Sequence, residues 1–349
     1  MSLICKIKKN FGSFILDVNF ENKEGTRCLL GASGAGKSLT LKCIAGIIKP
    51  DEGYIELNGK VLFDSEKRIN LSPQKRHIGY MFQNYALFPN MNVYTNIMTG
   101  LISNKELSRE QKKERVNEVI KQFHLDGLEK HRINQISGGE AQRVALARII
   151  VSNPELIILD EPFSALDEYL RTKLQIDLKL FLEQYDKDVL LVTHNRDEAY
   201  LLSSNITVIK NGHSIISKTT RDLFDNPELL TASILIGCKN NARCELKNDK
   251  TLFVPEWGIE FKFKNELSSD IEYVGLKAHY FVNSKQGYKV KDIELIEQPF
   301  DKIVRFRFID QKEDSPKLVW ILPKEENIEV GSIKNIGFNL DKVLFLKEE

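Results

Sequence analysis

Eight consecutive residues, Gly31, Ala32, Ser33, Gly34, Ala35, Gly36, Lys37 and Ser38, match G-x-x-x-x-G-K-[ST] in full and run on into Leu39. Glycines let backbone N–H groups turn inward around phosphate oxygens, and a helix starting at the end of such a loop adds a favourable dipole. Lys37 is expected to hold the β- and γ-phosphates of a nucleotide, and the Ser38 hydroxyl to ligate Mg2+. Further along, "LIILD" ends in Asp160 and is followed by Glu161. Asp160 suits Mg2+, directly or through water, and Glu161 suits the general base that polarises an attacking water. His194 closes the next apolar run and is placed to reach the γ-phosphate side. Gln83, in "YMFQNYALFP", is a further Mg2+ or water contact. A second turn of the same flavour, "ISGGE" at 136–140, lies 100 residues beyond Lys37, and one phosphate loop leaves it without a purpose.

These groups need a scaffold that brings strand ends together. Residues 1 to about 235 alternate short apolar runs with longer amphipathic segments, the pattern of an α/β domain. "TRCLL" (26–30) reads as a strand entering the glycine loop and "KSLTLKCIAGI" as the helix leaving it. "LIILD" (156–160) and "VLLVTH" (189–194) are nearly continuous β-rich runs, as central parallel strands covered on both faces require. In an open α/β sheet ligands gather at the carboxyl ends of strands, so Asp160 and Glu161 are expected to face the glycine loop. Leu174, Leu178, Phe181 and Leu182 recur at helical spacing and supply a layer over the sheet. Between about 88 and 150 the chain turns more helical. There Ser108 and Gln111 form a capping-box pattern, and Val116, Val119, Ile120 and Phe123 line one face of the helix they start. Beyond 237 short alternating segments such as "TLFVP", "IEFKF", "IVRFRFI" and "LVWILP" predict a small all-β domain.

Composition narrows the classes. A chain of 349 residues with 42% hydrophobic content can build two domains. Lys plus Arg number 50 against 49 Asp plus Glu, so nothing general draws the molecule to nucleic acid or acidic lipid. No signal-peptide core and no membrane-spanning apolar run is legible, which predicts a cytoplasmic protein. The five scattered cysteines, without a CxxC pair, suit buried reduced thiols. The six histidines show no metal-ligand spacing.

Taken together, "GASGAGKS", Gln83, "ISGGEAQRVALAR", "LIILDEP", "SALD" and "TH" stand in the order and spacing of the ATP-binding cassette ATPases, and residues 1 to about 235 resemble that family. The resemblance implies an α/β P-loop NTPase fold, residues 1–237, with a mixed-sheet core and a helical subdomain at about 88–150. It implies that Ser137, Gly138, Gly139 and Glu140 are the signature motif, gripping the γ-phosphate of ATP held by a second copy, so that two chains pair head to tail. The loop through Asp167 then crosses that interface, and Gln83 couples the site to integral membrane permease subunits. An aromatic side chain stacks on adenine; Phe11 aligns best and Phe14 is the alternative. Ile136, Glu140 and Asn195 depart from the usual pattern, but none removes a phosphate ligand or the base. The stretch from Leu57 to Pro89 looks most like the ATPases of molybdate, tungstate and sulfate importers. Residues 238–349 resemble the OB-like (TOBE- or MOP-like) β domain of importer ATPases, with a regulatory or dimerising role.

The expectation is an ATP-hydrolysing importer subunit for an oxyanion. It would be peripheral on the inner face of the cell membrane through its permease, and served indirectly by an extracytoplasmic solute-binding protein. Alternatives are an importer of another solute, such as iron or a polyamine, and a soluble non-transport cassette ATPase. Nucleic acid is not an expected partner.

Overall fold

The computed structural model describes residues 2–164 and 168–349. The chain divides into two compact units, Met1–Arg221 and Asp222–Glu349.

The first unit opens with the hairpin β1 (Leu3–Asn10) and β2 (Ile15–Asn22), followed by β3 (Thr26–Leu30) and α1 (Lys37–Ile44). Next come β4 (Glu52–Leu57), β5 (Lys60–Asp64), β6 (Ile69–Asn70), α2 (Pro73–Arg76) and β7 (Ile78–Met81). The helical insert holds α3 (Val93–Met98), α4 (Arg109–Gln122) and α5 (Gly138–Ile150). The chain then runs through β8 (Leu156–Asp160), α6 (Glu168–Gln184), β9 (Asp188–Thr193), α7 (Arg196–Leu202), β10 (Asn205–Lys210) and β11 (His213–Thr219). The strands form one sheet in the order β6-β5-β4-β1-β2-β11-β10-β3-β9-β8-β7. Strands β10, β3, β9, β8 and β7 are parallel neighbours, whereas β1, β2, β4 and β5 pair antiparallel. The sheet is therefore mixed, as expected.

Register fixes the geometry of the site. Leu30 pairs with Thr193, and Asp160 with Val192. Because β3, β9 and β8 are parallel, the residues after Leu30, Thr193 and Asp160 all leave the sheet at the same edge. Every residue of β3, β8 and β9 is buried, which explains the apolar runs Cys28–Leu30, Leu156–Leu159 and Val189–Val192 within them.

The insert forms as read. Ser108 accepts from the Gln111 amide while the Gln111 side chain accepts from Ser108 N, and Val116, Val119, Ile120 and Phe123 are buried. In α6, Leu174 and Leu178 are buried. Phe181 packs against Phe123 of the insert, with ring centroids 5.3 Å apart, in addition to its place on the helix face. All five cysteines are buried and unpaired, and burial pushes the Cys5 and Cys28 thiols up, so they are inert. Among the described residues no helix is long and apolar enough to cross a membrane.

The second unit begins around α8 (Thr220–Asp225), which sits at the division, and α9 (Leu230–Leu235). It continues with β12 (Asn240–Arg243), β13 (Glu245–Asn248), β14 (Thr251–Val254), β15 (Ile259–Lys262) and β16 (Tyr273–Leu276). Strands β17 (Val282–Glu297), β18 (Asp301–Phe308), β19 (Leu318–Pro323), β20 (Asn335–Gly337) and β21 (Leu344–Leu346) complete it. Three small sheets result, ordered β12-β16-β21, β13-β14-β15 and β19-β18-β17-β20. They enclose an aromatic core that includes Trp257, Phe261, Phe281, Phe306, Phe308 and Trp320. The unit starts before the compositional change near 237 for a local reason. Leu230 N donates to Lys347 O and Lys347 N to Glu228 O, while Leu230 packs against Cys238, Leu344 and Leu346.

Candidate functional site

The glycine loop bends where its sequence allows. Gly36 caps α1 with φ 104°, and a Cβ there would lie 2.9 Å from Leu16 Cδ1 and 3.0 Å from Phe14 Cζ. At Gly31 a Cβ would lie 2.3 Å from the Ile209 carbonyl oxygen, so neither position admits a side chain. Lys37, only 4% exposed, folds back to donate to the Gly31 and Ala32 carbonyls, both at 2.8 Å. Burial lowers its ammonium pKa, while the charges of Glu161 and Asp160 counter that shift.

Ser38 Oγ donates to Asp160 Oδ1 at 2.7 Å, across the gap between α1 and β8. The other carboxylate oxygen accepts from Tyr80 Oη at 2.8 Å. Burial, and then the Asp160 charge, push the Tyr80 phenol well up, so it stays a donor. Tyr80 is a partner of Asp160 that the sequence did not disclose. Its alternation within β7 was the available signal, yet nothing local says that its ring ends on Asp160. A hydroxyl and a carboxylate this close make an all-oxygen donor pair, which suits Mg2+, an ion that takes one or two protein oxygens and completes its shell with phosphate and water.

Glu161 is turned by strain. Its amide still extends the β8–β9 ladder, donating to Val192 O at 3.0 Å, but its φ of 47° is left-handed. Its Oε1 lies 3.2 Å from His194 Nδ1. Asn195 caps α7 by accepting from the amides of Asp197 and Glu198, a task Asn performs as well as Asp. That departure is therefore neutral for the helix.

A cavity of about 500 Å³ is lined by Phe11, Ser13, Phe14, Ser33 through Leu39, Gln83 and Glu161. It collects most of the expected nucleotide contacts in one place. Phe11 is 38% exposed, whereas Phe14 packs on the core beneath Gly36. The loop after Gln83 is pinned to the insert, since Arg148 of α5 donates to the carbonyls of Tyr85 and Ala86 at 2.8 and 2.7 Å.

Ser137, Gly138, Gly139 and Glu140 do not line that cavity. Ser137 is the N-cap of α5, in a capping box in which it accepts from Glu140 N while Glu140 Oε2 accepts from Ser137 N at 2.7 Å and from its Oγ at 2.8 Å. The Ser137 amide, then its hydroxyl, hold the Glu140 carboxyl below its ordinary value. Asp167 lies outside the described residues.

Fold and site together define a P-loop nucleotide-binding fold whose second Ser-Gly-Gly turn stands apart on a helical insert. Residues 15–164 match the family model for the ABC transporter. The spermidine/putrescine import ATP-binding protein PotA of Acetivibrio thermocellus is 40% identical over 221 residues, 63% of this chain and 61% of that protein. The Fe(3+) ions import ATP-binding protein FbpC of Haemophilus influenzae is 38% identical over 243 residues, 66% of this chain and 68% of that protein. The chain thus spans less than two thirds of the first relative's length. Among solved structures, the dimeric post-hydrolysis state of the ATP-binding cassette MJ0796, bound to ADP and Pi, superposes with a TM-score of 0.53 and 30% identity over 63% of this chain and 99% of that one. The cbiO1 protein of Clostridium perfringens, part of the transporter complex cbiONQ, gives 0.54 and 25% identity over 64% and 90%. The chain belongs to the ABC transporter family.

Proposed function

We propose that this chain is the ATP-hydrolysing subunit of a membrane importer and works as a head-to-tail pair. One observation carries the reading: Lys37, Ser38, Asp160, Glu161 and His194 converge at one sheet edge, while Ser137–Glu140 stand outside the cavity there. Each chain then supplies half of a site. A second copy brings its Ser137 hydroxyl and the first amides of α5 to the γ-phosphate, as a closed two-fold pair allows. The MJ0796 cassette is dimeric, which supports this arrangement.

In the paired site, Lys37 exchanges the Gly31 and Ala32 carbonyls for the β- and γ-phosphates. Ser38 and Asp160 hold Mg2+, with Gln83 as a further contact, and Tyr80 fixes the carboxylate. Bound Mg2+ supplies charge neutralisation on the phosphates. Glu161 accepts the proton of the attacking water, and His194 orients that carboxylate. Phe11 stacks on adenine, because Phe14 is committed to packing under Gly36. By the family resemblance, Asp167 contributes to the contact between copies. The second unit we read as an OB-like regulatory or dimerising domain. Permease subunits hold the pair at the inner face of the membrane, and a solute-binding protein delivers the cargo.

The relatives' names give polyamine and ferric-ion cargoes at least the standing of the oxyanion expected from residues 57–89. Hydrolysis by the reconstituted transporter, challenged in turn with binding proteins loaded with spermidine, Fe3+, molybdate or sulfate, decides among them. Glu161→Gln tests the site itself. The variant should bind ATP, lose about 10²-fold or more in turnover and elute as an ATP-bound dimer. Turnover within a few-fold of wild type would remove Glu161 from the role of base.

A further inference from the structure

A second cavity, of about 510 Å³, opens between α4, α5 and α6. Its wall is apolar, formed by Phe123, Leu146, Leu174, Leu178 and Phe181. Arg143 and Lys173 bring two cations to it against the single carboxylate of Asp177, so its field favours an anion. Its size falls in the range of about 300–1,000 Å³ usual for small-molecule sites.

Gln142 also lines this cavity and is 1% exposed. Its Nε2 donates to the Pro162 carbonyl at 3.4 Å, but its Oε1 is buried with no hydrogen-bond partner among the described residues. Arg143 Nε is likewise buried without a partner among the described residues. Acceptors and donors left unmade in an interior are costly, and folded proteins rarely keep them without a use.

We propose that this cavity is a regulatory site for a small aromatic acid that carries an N–H or O–H donor. Its rings cover the apolar wall, its acid group meets Arg143 and Lys173, and its donor satisfies Gln142 Oε1 once that enclosed amide turns toward the cavity. The link to hydrolysis is short. The carbonyl that Gln142 holds belongs to Pro162, the neighbour of Glu161, and Tyr85 Oη donates to the same oxygen at 3.3 Å. Leu174, in the cavity wall, also packs on the signature turn, its Cδ1 3.3 Å from where a Cβ would sit on Gly139. A ligand spanning α5 and α6 fixes the signature helix and the base-bearing turn in one arrangement, and slows turnover. This regulatory part rests on the hydrolytic reading given above.

The probe is 8-anilino-1-naphthalenesulfonate, which combines an N–H, fused rings and one sulfonate. Its fluorescence is titrated against the full chain in saturating MgADP, which fills the nucleotide cavity. One saturable site is expected. Gln142→Leu weakens it by about three- to tenfold, the worth of one hydrogen bond, and Lys173→Glu, at an exposed position, weakens it while leaving basal hydrolysis unchanged. Wild-type ATP hydrolysis falls with the midpoint of probe binding, and that midpoint shifts in step in Lys173→Glu. If Gln142→Leu fails to fold, Lys173→Glu alone decides. Unaltered probe binding in the variants overturns the site, and a saturated wild type that hydrolyses at its probe-free rate overturns the regulation. A wild type without basal hydrolysis would overturn the hydrolytic reading instead, with probe binding still judging the cavity.

Discussion

At the scale of single residues, two buried polar groups set measurable behaviour. Tyr80 holds Asp160 Oδ2 while Ser38 holds Oδ1, so the carboxylate is fixed from both sides. Tyr80→Phe should keep the fold, because the ring also packs on Phe82 with centroids 4.4 Å apart, but free the carboxylate to rotate. The Mg2+ concentration for half-maximal hydrolysis should rise about three- to tenfold; an unchanged Mg2+ titration would leave the tyrosine a packing role only. Asp188, at the start of β9, is 1% exposed and its Oδ2 has no partner among the described residues. Burial, helped by the charge of Glu24, raises its carboxyl above the ordinary 3.8. A folded value above the unfolded one means that the stabilising contribution is present below the unfolded value and is lost as pH rises through the folded one. Asp188→Asn should therefore raise Tm at neutral and alkaline pH, with a gain that shrinks on acidification, as followed by thermal melts across pH.

At the scale of elements, two helices begin with the same device. Ser108 and Gln111 cap α4, and Ser137 and Glu140 cap α5. Each serine satisfies an amide that the first helical turn leaves unpaired, and replacing either by alanine should cost about 1 kcal/mol of stability. Function separates them. Ser108→Ala should hydrolyse ATP as wild type does, whereas Ser137→Ala should also lose turnover, because in the proposed pair only that hydroxyl reaches the nucleotide of a second copy. Equal activity in both variants, measured beside their melting curves, would make the second cap structural only.

At the scale of the whole molecule, the proposed division into two half-sites makes a complementation test possible. Lys37→Ala should lose nucleotide affinity, and Ser137→Arg should bind nucleotide but fail to close. In a head-to-tail pair of the two variants one site lacks both groups and the other keeps both, so mixing should restore part of the activity that each variant lacks alone. Absence of recovery, once heterodimers are shown by mass to have formed, would count against sharing of sites between copies.

How much of this was legible follows from the range of each cause. The glycine loop, the buried strands β8 and β9, the cap of α4 and its apolar face are local: adjacent residues or a helical period carry them, so the sequence by itself determined them. The proposed roles of Lys37, Ser38, Asp160 and Glu161 rest on equally local grounds, the residue types and their order. Strand β17 escaped because its residues are largely exposed and its alternation, Tyr288 and Val290 and then Ile293 and Leu295, changes phase at the irregularity around Asp292; pairing with β18 and β20 makes it a strand. Tyr80 on Asp160, His194 on Glu161 and Gln142 on Pro162 join residues 80, 33 and 20 positions apart. Only the parallel register of β7, β8 and β9 and the packing of α5 on the turn after β8 bring such groups together. The left-handed turn at Glu161 is of the same kind: no local preference asks a glutamate to adopt it, and the surrounding sheet edge holds it there. Residue types named the chemistry, and tertiary structure decided which groups meet, because contacts across a sheet edge depend on register and not on sequence distance.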